Sequence, residues 1–440
     1  MRRGTASYTE RDMMHPTART ALIATAALLL AGAGTAVVAG EQTQRNVQEQ
    51  LERTRKTLEG SGLATMVSGP YQGNVMGGTQ VTKLTLLPKS AEPVVVTLTS
   101  RVHNGPFPEG RAFGAATVVT DVTFPPDVQK QLDAALGGQK ISITTLVKFG
   151  GNSVTTYRVP EGQFTGDGTT MAWKAVTGNV YSEGERVRGD GQWPGLTVRG
   201  GGGLITLGAS TWSTTGQTAQ DGMGNATTTL NVGEIRGSDQ GSTVFNVGPV
   251  KAESEVKSDA QFVSSSARYH VARATLNGQT YDDMTLNLTM GRLDRQVLAQ
   301  LGHVDVADQN FDPKTLNSIF NALLQAGPTL SVDRLSVGSG TNEVQLNARA
   351  AFKAGADVDW MTLMLDPEAL MSQMDVQAHL EGEAQAIEEL GTRIAGQRKN
   401  VASMLQAAQE EGLLVRKGTR LAADLRLDQD GLKVNGVPLQ

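Results

Sequence analysis

The residues whose types and spacing come nearest to chemistry are two pairs of carboxylates, adjacent Asp282 and Asp283, and Glu183 with Glu185. Two acids flanking one bond are what glycoside cleavage uses, one as proton donor and the other as base or nucleophile. One reading is therefore a hydrolase of envelope polymers. Adjacent strand positions point to opposite faces, however, and these acids look like solvated turn residues. The five histidines, His15, His103, His270, His303 and His379, fall on different segments. No cluster with carboxylates marks a metal or acid–base centre among them. The sequence has no cysteine, which removes disulfides, thiolate metal sites, iron–sulfur clusters and a Cys nucleophile together. Gly200–Gly203 lacks the Lys-Ser/Thr and the helix that a phosphate cradle requires, and reads as a strand connector. Gly338-Ser339-Gly340 leads into a strand where a nucleophile elbow needs a helix. Asp424, Asp428 and Asp430 lack the remaining ligands of a calcium loop and read as part of a hairpin. No catalytic, cofactor-binding or metal residue is assigned, and the chain reads as a non-enzyme.

A motif of another kind closes a strong strand: Val102-His103-Asn104-Gly105-Pro106-Phe107-Pro108. Each proline fixes φ and removes a backbone donor, so the strand stops and the Phe ring is held in a rigid, extended turn. His103, Asn104, Gly105, Pro106, Phe107 and Pro108 are the candidate site, either a structural turn or a docking tip. A ring at the end of an alternating apolar strand has a core to fall into, so Phe107 is expected to be buried.

The elements that would carry these residues are mostly strands. Val94, Val96, Leu98 and Val102 alternate with Thr97, Thr99, Arg101 and His103, and Met284, Leu286, Leu288 and Met290 alternate with Thr285, Asn287 and Thr289. That period of two marks strands with one wet face. Further strands are expected at Val118–Phe124, Ile141–Lys148, Ser153–Val159, Leu204–Ala209, Thr227–Val232, Val244–Val247 and Tyr269–Leu276, with turns at Gly150-Gly151, Asp167-Gly168, Asp190-Gly191 and Asn277-Gly278. Helical periodicity comes later, at Asp294–Leu301, Thr315–Leu324 and Gln385–Val415, the last being the longest candidate, which Gly391, Gly396 and Gly412 weaken so that two shorter helices are the alternative. Strands near Leu330–Val337 and Glu343–Phe352 and a hairpin of Leu421–Leu427 with Leu432–Val437 complete the pattern. Short strands joined by tight turns argue for antiparallel pairing over crossover units. The expected class is mainly β (α+β): an extended, twisted antiparallel sheet with a few helices near the C-terminus.

The chain has 440 residues, 39% hydrophobic, 19% charged and only 5% aromatic, with 51 glycines and a net charge of −5. The balance is globular and turn-rich, and the weak acidity gives no basic field to gather nucleic acid. Thr20–Gly40 contains no charge, and about 20 apolar residues span a bilayer core of ~30 Å. Arg2, Arg3, Arg11 and Arg19 precede it and Glu41 follows, which directs the N-terminus to the cytoplasm and the remainder outside. Small-residue sites at Val37-Val38-Ala39 and Ala31-Gly32-Ala33 leave a cleaved signal peptide as the alternative, although the run exceeds the 7–15 residues of a signal core. The organisation is thus a cytoplasmic tail (1–19), an anchor or signal (20–40), a helical stalk (41–60) with Val47, Leu51 and Leu58 on one face, a β-rich domain (61–292) and an α+β part (293–440).

Here a resemblance enters. The His-Asn-Gly-Pro-Phe-Pro turn resembles the His-Gly-Pro-Phe signature of the YdgA-like family of bacterial membrane-anchored envelope proteins. Thr285–Gly291, Phe320–Leu335 and Leu425–Val437 with Asn435-Gly436 resemble the family pattern in the same order, after the same anchor. This sequence has Asn104 where the family has His, with His103 displaced by one, a shift that turns a strand side chain to the other face. The resemblance implies a single-pass inner-membrane protein with its bulk in the periplasm, and it implies no catalytic residues or cofactor. The favoured expectation is a tethered protein whose sheet binds a lipid or another envelope protein, Val94, Val96, Leu98, Leu286 and Leu288 being placed to line a face for an acyl chain. A self-associating module, pairing through sheet edges or the helices Glu41–Glu59 and Gln385–Val415, is the alternative.

Overall fold

The computed structural model describes residues 64–86, 93–107, 113–166, 168–217, 223–276, 278–301, 313–338, 343–355, 372–395, 400–428 and 431–438. The uncharged segment Thr20–Gly40, the stalk Glu41–Glu59, Pro108, His15 and His303 lie outside the described residues. Among the described residues the chain is mainly β, with 27 strands and five helices. They form two compact units: residues to 184 with 189–206, and residues 185–188 with those from 207 onward.

The first part of the chain builds β1 (Ala64–Ser68), β2 (Gln72–Asn74), β3 (Gly77–Leu86), β4 (Val94–Asn104), β5 (Ala116–Thr123), helix α1 (Pro126–Ala135), β6 (Ser142–Val147) and β7 (Ser153–Val159). Shorter strands follow: β8 (Gly162–Gly166), β9 (Thr169–Trp173), β10 (Val176–Glu183), β11 (Arg186–Trp193), β12 (Leu196–Gly200) and β13 (Gly203–Leu207). Strands β3 to β7 pair antiparallel with their neighbours in chain order. The alternation read in β4 is real, for Val96, Leu98, Ser100 and Val102 are buried while Val95 and Arg101 are exposed. Buried hydroxyls on this face satisfy one another across strands, Ser100 with Thr120 at 2.9 Å and Thr145 with Thr155 at 2.7 Å, as buried polar groups must.

Two expectations are corrected here. Helices are not confined to the C-terminal part: α1 starts with Pro126 at its first helical position, where proline costs no hydrogen bond. It places Val128, Leu132 and Ala135 on one face. That face packs with Leu84, Val96, Leu98, Phe124 and Trp173 in one core. Val96 and Leu98 are therefore covered by the protein itself, and with Val94 packed beside them they line no open acyl site. The Asp190-Gly191 turn is also absent, since both residues lie within β11 and the chain turns instead at Gly184, with φ +60°.

The second unit comprises β14 (Ser210–Gln217), β15 (Asn225–Val232), β16 (Ile235–Asp239), β17 (Ser242–Val247), β18 (Val250–Ser258), β19 (Phe262–Leu276) and β20 (Gln279–Asp294). Helices α2 (Arg295–Leu301) and α3 (Pro313–Gln325) follow, then β21 (Thr329–Val337), β22 (Val344–Phe352) and β23 (Met374–Glu383). The chain ends with α4 (Ala384–Ala395), α5 (Val401–Glu410), β24 (Val415–Lys417), β25 (Arg420–Asp428), β26 (Gly431–Val434) and β27 (Val437–Pro438). The expected helix Gln385–Val415 is thus two helices, with Asn400 capping the second by accepting from the Ser403 amide. β19 and β20 are the longest strands, joined through a two-residue turn, since Leu276 pairs with Gln279 and Gly278 has φ +78°. At the far end Arg292, at φ +57°, lies 5.0 Å over the Phe262 ring and donates to the Ala326 carbonyl at the end of α3.

Candidate functional site

The proline turn ends β4. Asn104 is still paired with Ala116 of β5, while Gly105, at φ +123°, takes the chain out of the sheet in a conformation that disfavours a side chain. The Gly105 amide donates to the Ala115 carbonyl and the Gly114 amide to the Pro106 carbonyl. Asn104 reaches the neighbouring hairpin tip, its backbone N–H donating to Met76 O at 2.9 Å and its side-chain amide to Val75 O at 3.1 Å. His103, half-buried, lies in register with Gly77 and Thr117.

Phe107 is not in the core. Its ring is 66% exposed and leans on Phe113, centroids 5.4 Å apart, and Phe113 leans on Phe149 at 5.1 Å. The expected burial fails because Gly105 turns the chain away before the ring is reached, and the core beneath is already filled by Val102, Ala116, Val118 and Val147. Phe149 comes from the β6–β7 turn, where Gly150 and Gly151 both take positive φ. Phe113 and Phe149 were missed in the sequence because neither sits in a periodic segment.

A second apolar surface spans the second unit. The pairings align one row across nine strands: Trp212 faces Leu230, which faces Ala252, then Tyr269, Leu286, Leu335, Leu346, Leu380 and Ala423. The next row brings Ala267, Leu288, Val332, Ala348, Ala378 and Leu425 into register, and another brings Met290, Leu330, Ala350, Val376 and Leu427. Nine strands at ~4.8 Å make this face roughly 40 Å across. A bulge at Asp333 keeps it continuous: Leu286 pairs with Leu335 and Leu288 with Val332, so Asp333 and Arg334 both turn to the other face. There Asp333 accepts from Thr289, and Arg334 pairs with Glu343. The opposite face is mostly polar, with His270, Arg268, Asn287, Arg349 and Gln377 in the alternate positions and Ala351 and Ala422 among them.

In the first unit this alternation buries the apolar face; here it does not. Leu335 is 40% exposed, Tyr269 44% and Leu330 51%, and Leu286, Leu288, Leu346 and Leu380 are only half-buried. Soluble monomers rarely expose contiguous apolar patches larger than a few hundred Å². Part of the face has a cover, since a Cβ added at Gly382 would meet Ile387 of α4 at 3.2 Å.

A family model described as "Bacterial protein of unknown function (DUF945)" matches residues 14–440. The chain belongs to this family. The matched span takes in both the uncharged segment Thr20–Gly40 and all the described residues. Neither curated proteins nor solved structures provided a match.

In this DUF945 protein the carboxylates singled out in the sequence are dispersed. Asp282 binds Arg273 at 2.5 Å, and Asp283, at φ +49°, binds His270 at 2.8 Å, each acid and its partner close to half exposed or more. The two acids therefore engage separate partners. Glu183 and Glu185 are exposed at the β10–β11 turn, Glu185 accepting from Gln217 at 3.4 Å. Two histidines that looked isolated have acid partners across strands, His270 with Asp283 and His379 with Asp424 at 2.6 Å. Cross-strand neighbours are far apart in sequence, so no local spacing reveals them. Asn435-Gly436, the last segment of the family-like pattern, forms the β26–β27 turn with both residues at positive φ, and Asn435 exchanges hydrogen bonds with the Asp424 backbone. Among the described residues no helix is long and apolar enough to cross a membrane.

Proposed function

We propose that this family member is a membrane-tethered exported protein of the YdgA-like kind, without catalytic activity, whose second unit binds the acyl chain of a lipid on its apolar sheet face. The observation that carries the proposal is the row from Trp212 to Ala423, apolar on nine consecutive strands and only half covered. On β20 to β23 and β25 the three aligned rows are aliphatic, whereas across β14, β15 and β18 the second row is Thr214, Thr228 and Ser254. The aliphatic part offers little hydrogen-bond specificity and suits a long hydrocarbon better than a polar ligand. The uncharged segment Thr20–Gly40 behind four arginines supports the tether and the periplasmic placement of the bulk. The likeness of the Val102–Pro108 and Asn435-Gly436 turns to the YdgA-like pattern supports the same placement.

The test is photo-crosslinking. The full chain is reconstituted in vesicles holding a phospholipid with a diazirine in its acyl chain, irradiated and digested. Adducts are expected on Tyr269, Met290, Leu330 and Leu335, and not on Arg268, Asn287 or Arg349 of the other face. Adducts confined to Thr20–Gly40 would remove the lipid-binding role and leave the tether. No adduct on that face, in a chain that light scattering shows to be dimeric, would favour the self-associating module instead.

A further inference from the structure

We propose that the exposed end of the first unit is a bilayer-contacting tip, at which Phe107, Phe113, Phe149, Val75 and Met76 enter the headgroup region of an anionic lipid surface. These side chains come from three separate turns and are 56–90% exposed. They stand at strand ends, each more than half exposed. A folded protein partner anchors aromatic residues in pockets, whereas a lipid interface accepts rings and aliphatic side chains at headgroup depth with no matching cavity.

Charge points the same way. In sequence these turns, 74–77, 103–115 and 148–152, hold the acid Glu109 offset by Arg111, and Lys148 adds a cation exposed beside Phe149. A cation next to inserted rings favours anionic lipid. The tip is also ordered in advance, by Asn104 N–H to Met76 O, Gly105 N–H to Ala115 O, Ala115 N–H to Val147 O and Lys148 N–H to Asn152 O, all between 2.8 and 3.0 Å. Insertion therefore orders little that was free. A bilayer within reach follows from the tether reading, on which the proposal partly rests. Residues 41–63 separate Thr20–Gly40 from β1. With 41–60 read as the helical stalk at about 1.5 Å per residue and the last three extended, the span of roughly 40 Å is somewhat longer than the ~33 Å of ten-residue β3.

Because the chain has no cysteine, one introduced cysteine carries one probe. The full chain bearing Phe149→Cys with an environment-sensitive fluorophore is reconstituted in phosphatidylcholine vesicles with or without phosphatidylglycerol, using acyl chains brominated as quenchers. Blue-shifted, quenched emission is expected, stronger with phosphatidylglycerol, while the same probe at Gln139→Cys, exposed before the opposite end of β6, stays water-like. Adding Phe107→Ser to the labelled chain should lower the docked fraction roughly ten-fold, the scale of one buried ring. Emission at Phe149→Cys equal to that at Gln139→Cys overturns the proposal. So does a shift that follows protein density and not lipid, which assigns the rings to a second copy, or one that needs added envelope protein. Flotation reads the tether separately: a chain that floats with its tip probe unquenched overturns the tip alone, and one that neither floats nor is quenched overturns both.

Discussion

The side-chain amide of Asn104 holds the carbonyl of Val75, 29 positions earlier, at 3.1 Å, so the end of β4 fixes the tip of the β2–β3 hairpin. The bond is exposed, and Val75 O finds water when it is lost. Asn104→Ala is therefore expected to cost about 0.5–1.5 kcal/mol, with faster amide exchange across 74–77 and no change at β5. Denaturant midpoints with residue-resolved exchange check both. A loss spread evenly over the unit would show that Asn104 supports the core and not the tip.

Phe107→Ala should scarcely alter stability. An exposed ring loses only its contact with Phe113, about 0.5–1.5 kcal/mol at most. Leu84→Ala, at 1% exposure in the α1-covered core, should cost about 2–5 kcal/mol. Thermal unfolding of the two variants side by side measures the contrast, and equal losses would mean that the ring trio is a structural plug.

How much of this was legible in the sequence depends on the range of the signal. Ser153–Val159 is found as expected, and so is the strand near Leu330–Val337, although the bulge within it that keeps Val332 and Leu335 on one face is seen only in the pairing. Local patterns carry such features because a strand's faces follow from a period of two. Whether an apolar face is covered is not local: Val96 and Leu286 look alike in sequence, yet α1 buries the first and no described element fully buries the second. The same holds for the site. The proline turn stood out by composition, while its partners Phe113 and Phe149 come from other turns. The two units divide near residue 206, within a run of similar strands where periodicity does not change.

Gly382→Ala tests the seat of α4 on the apolar face. The added methyl would meet Glu343 O and Val344 Cα at 3.1 Å and Ile387 Cγ1 at 3.2 Å, and two of these are backbone. Overpacking of this kind costs about 1–3 kcal/mol. The loss should come with weaker exchange protection in α4, and a neutral variant would mean that α4 lifts freely from the sheet.

Asp259 closes the β18–β19 connection, its carboxylate accepting from the Phe262 amide at 2.6 Å and the Gln261 amide at 2.8 Å. Those bonds, from Phe262 first and then Gln261, lower its pKa. A carboxyl whose folded pKa lies below the unfolded value, about 3.9, contributes stability in full above that value and loses it as pH falls through the folded one. The Gln261 and Phe262 amide shifts should therefore stay constant from neutral pH down to about 4 and move only below it. Asp259→Asn should abolish the transition, and a midpoint at or above the ordinary Asp value would contradict the assignment.

Leu335→Asp separates folding from binding on the apolar face. Leu335 sits mid-row between Leu286 and Leu346 and is 40% exposed, so an aspartate there reaches water and should cost the unliganded chain about 1 kcal/mol or less. A bound hydrocarbon would have to cover that carboxylate. Losing the leucine contact alone is worth about 1.5–3 kcal/mol when it is fully buried, and an unpaired charge under an acyl chain adds a further penalty. Acyl-probe affinity should fall by roughly ten-fold or more. Asn287→Asp puts the same charge one strand away on the polar face, in register with Arg268 and Arg334, and should leave affinity unchanged. If the two variants bind alike at the wild-type level, the exposed row is not where the lipid sits; if both weaken equally, the effect is one of net charge and not of the face.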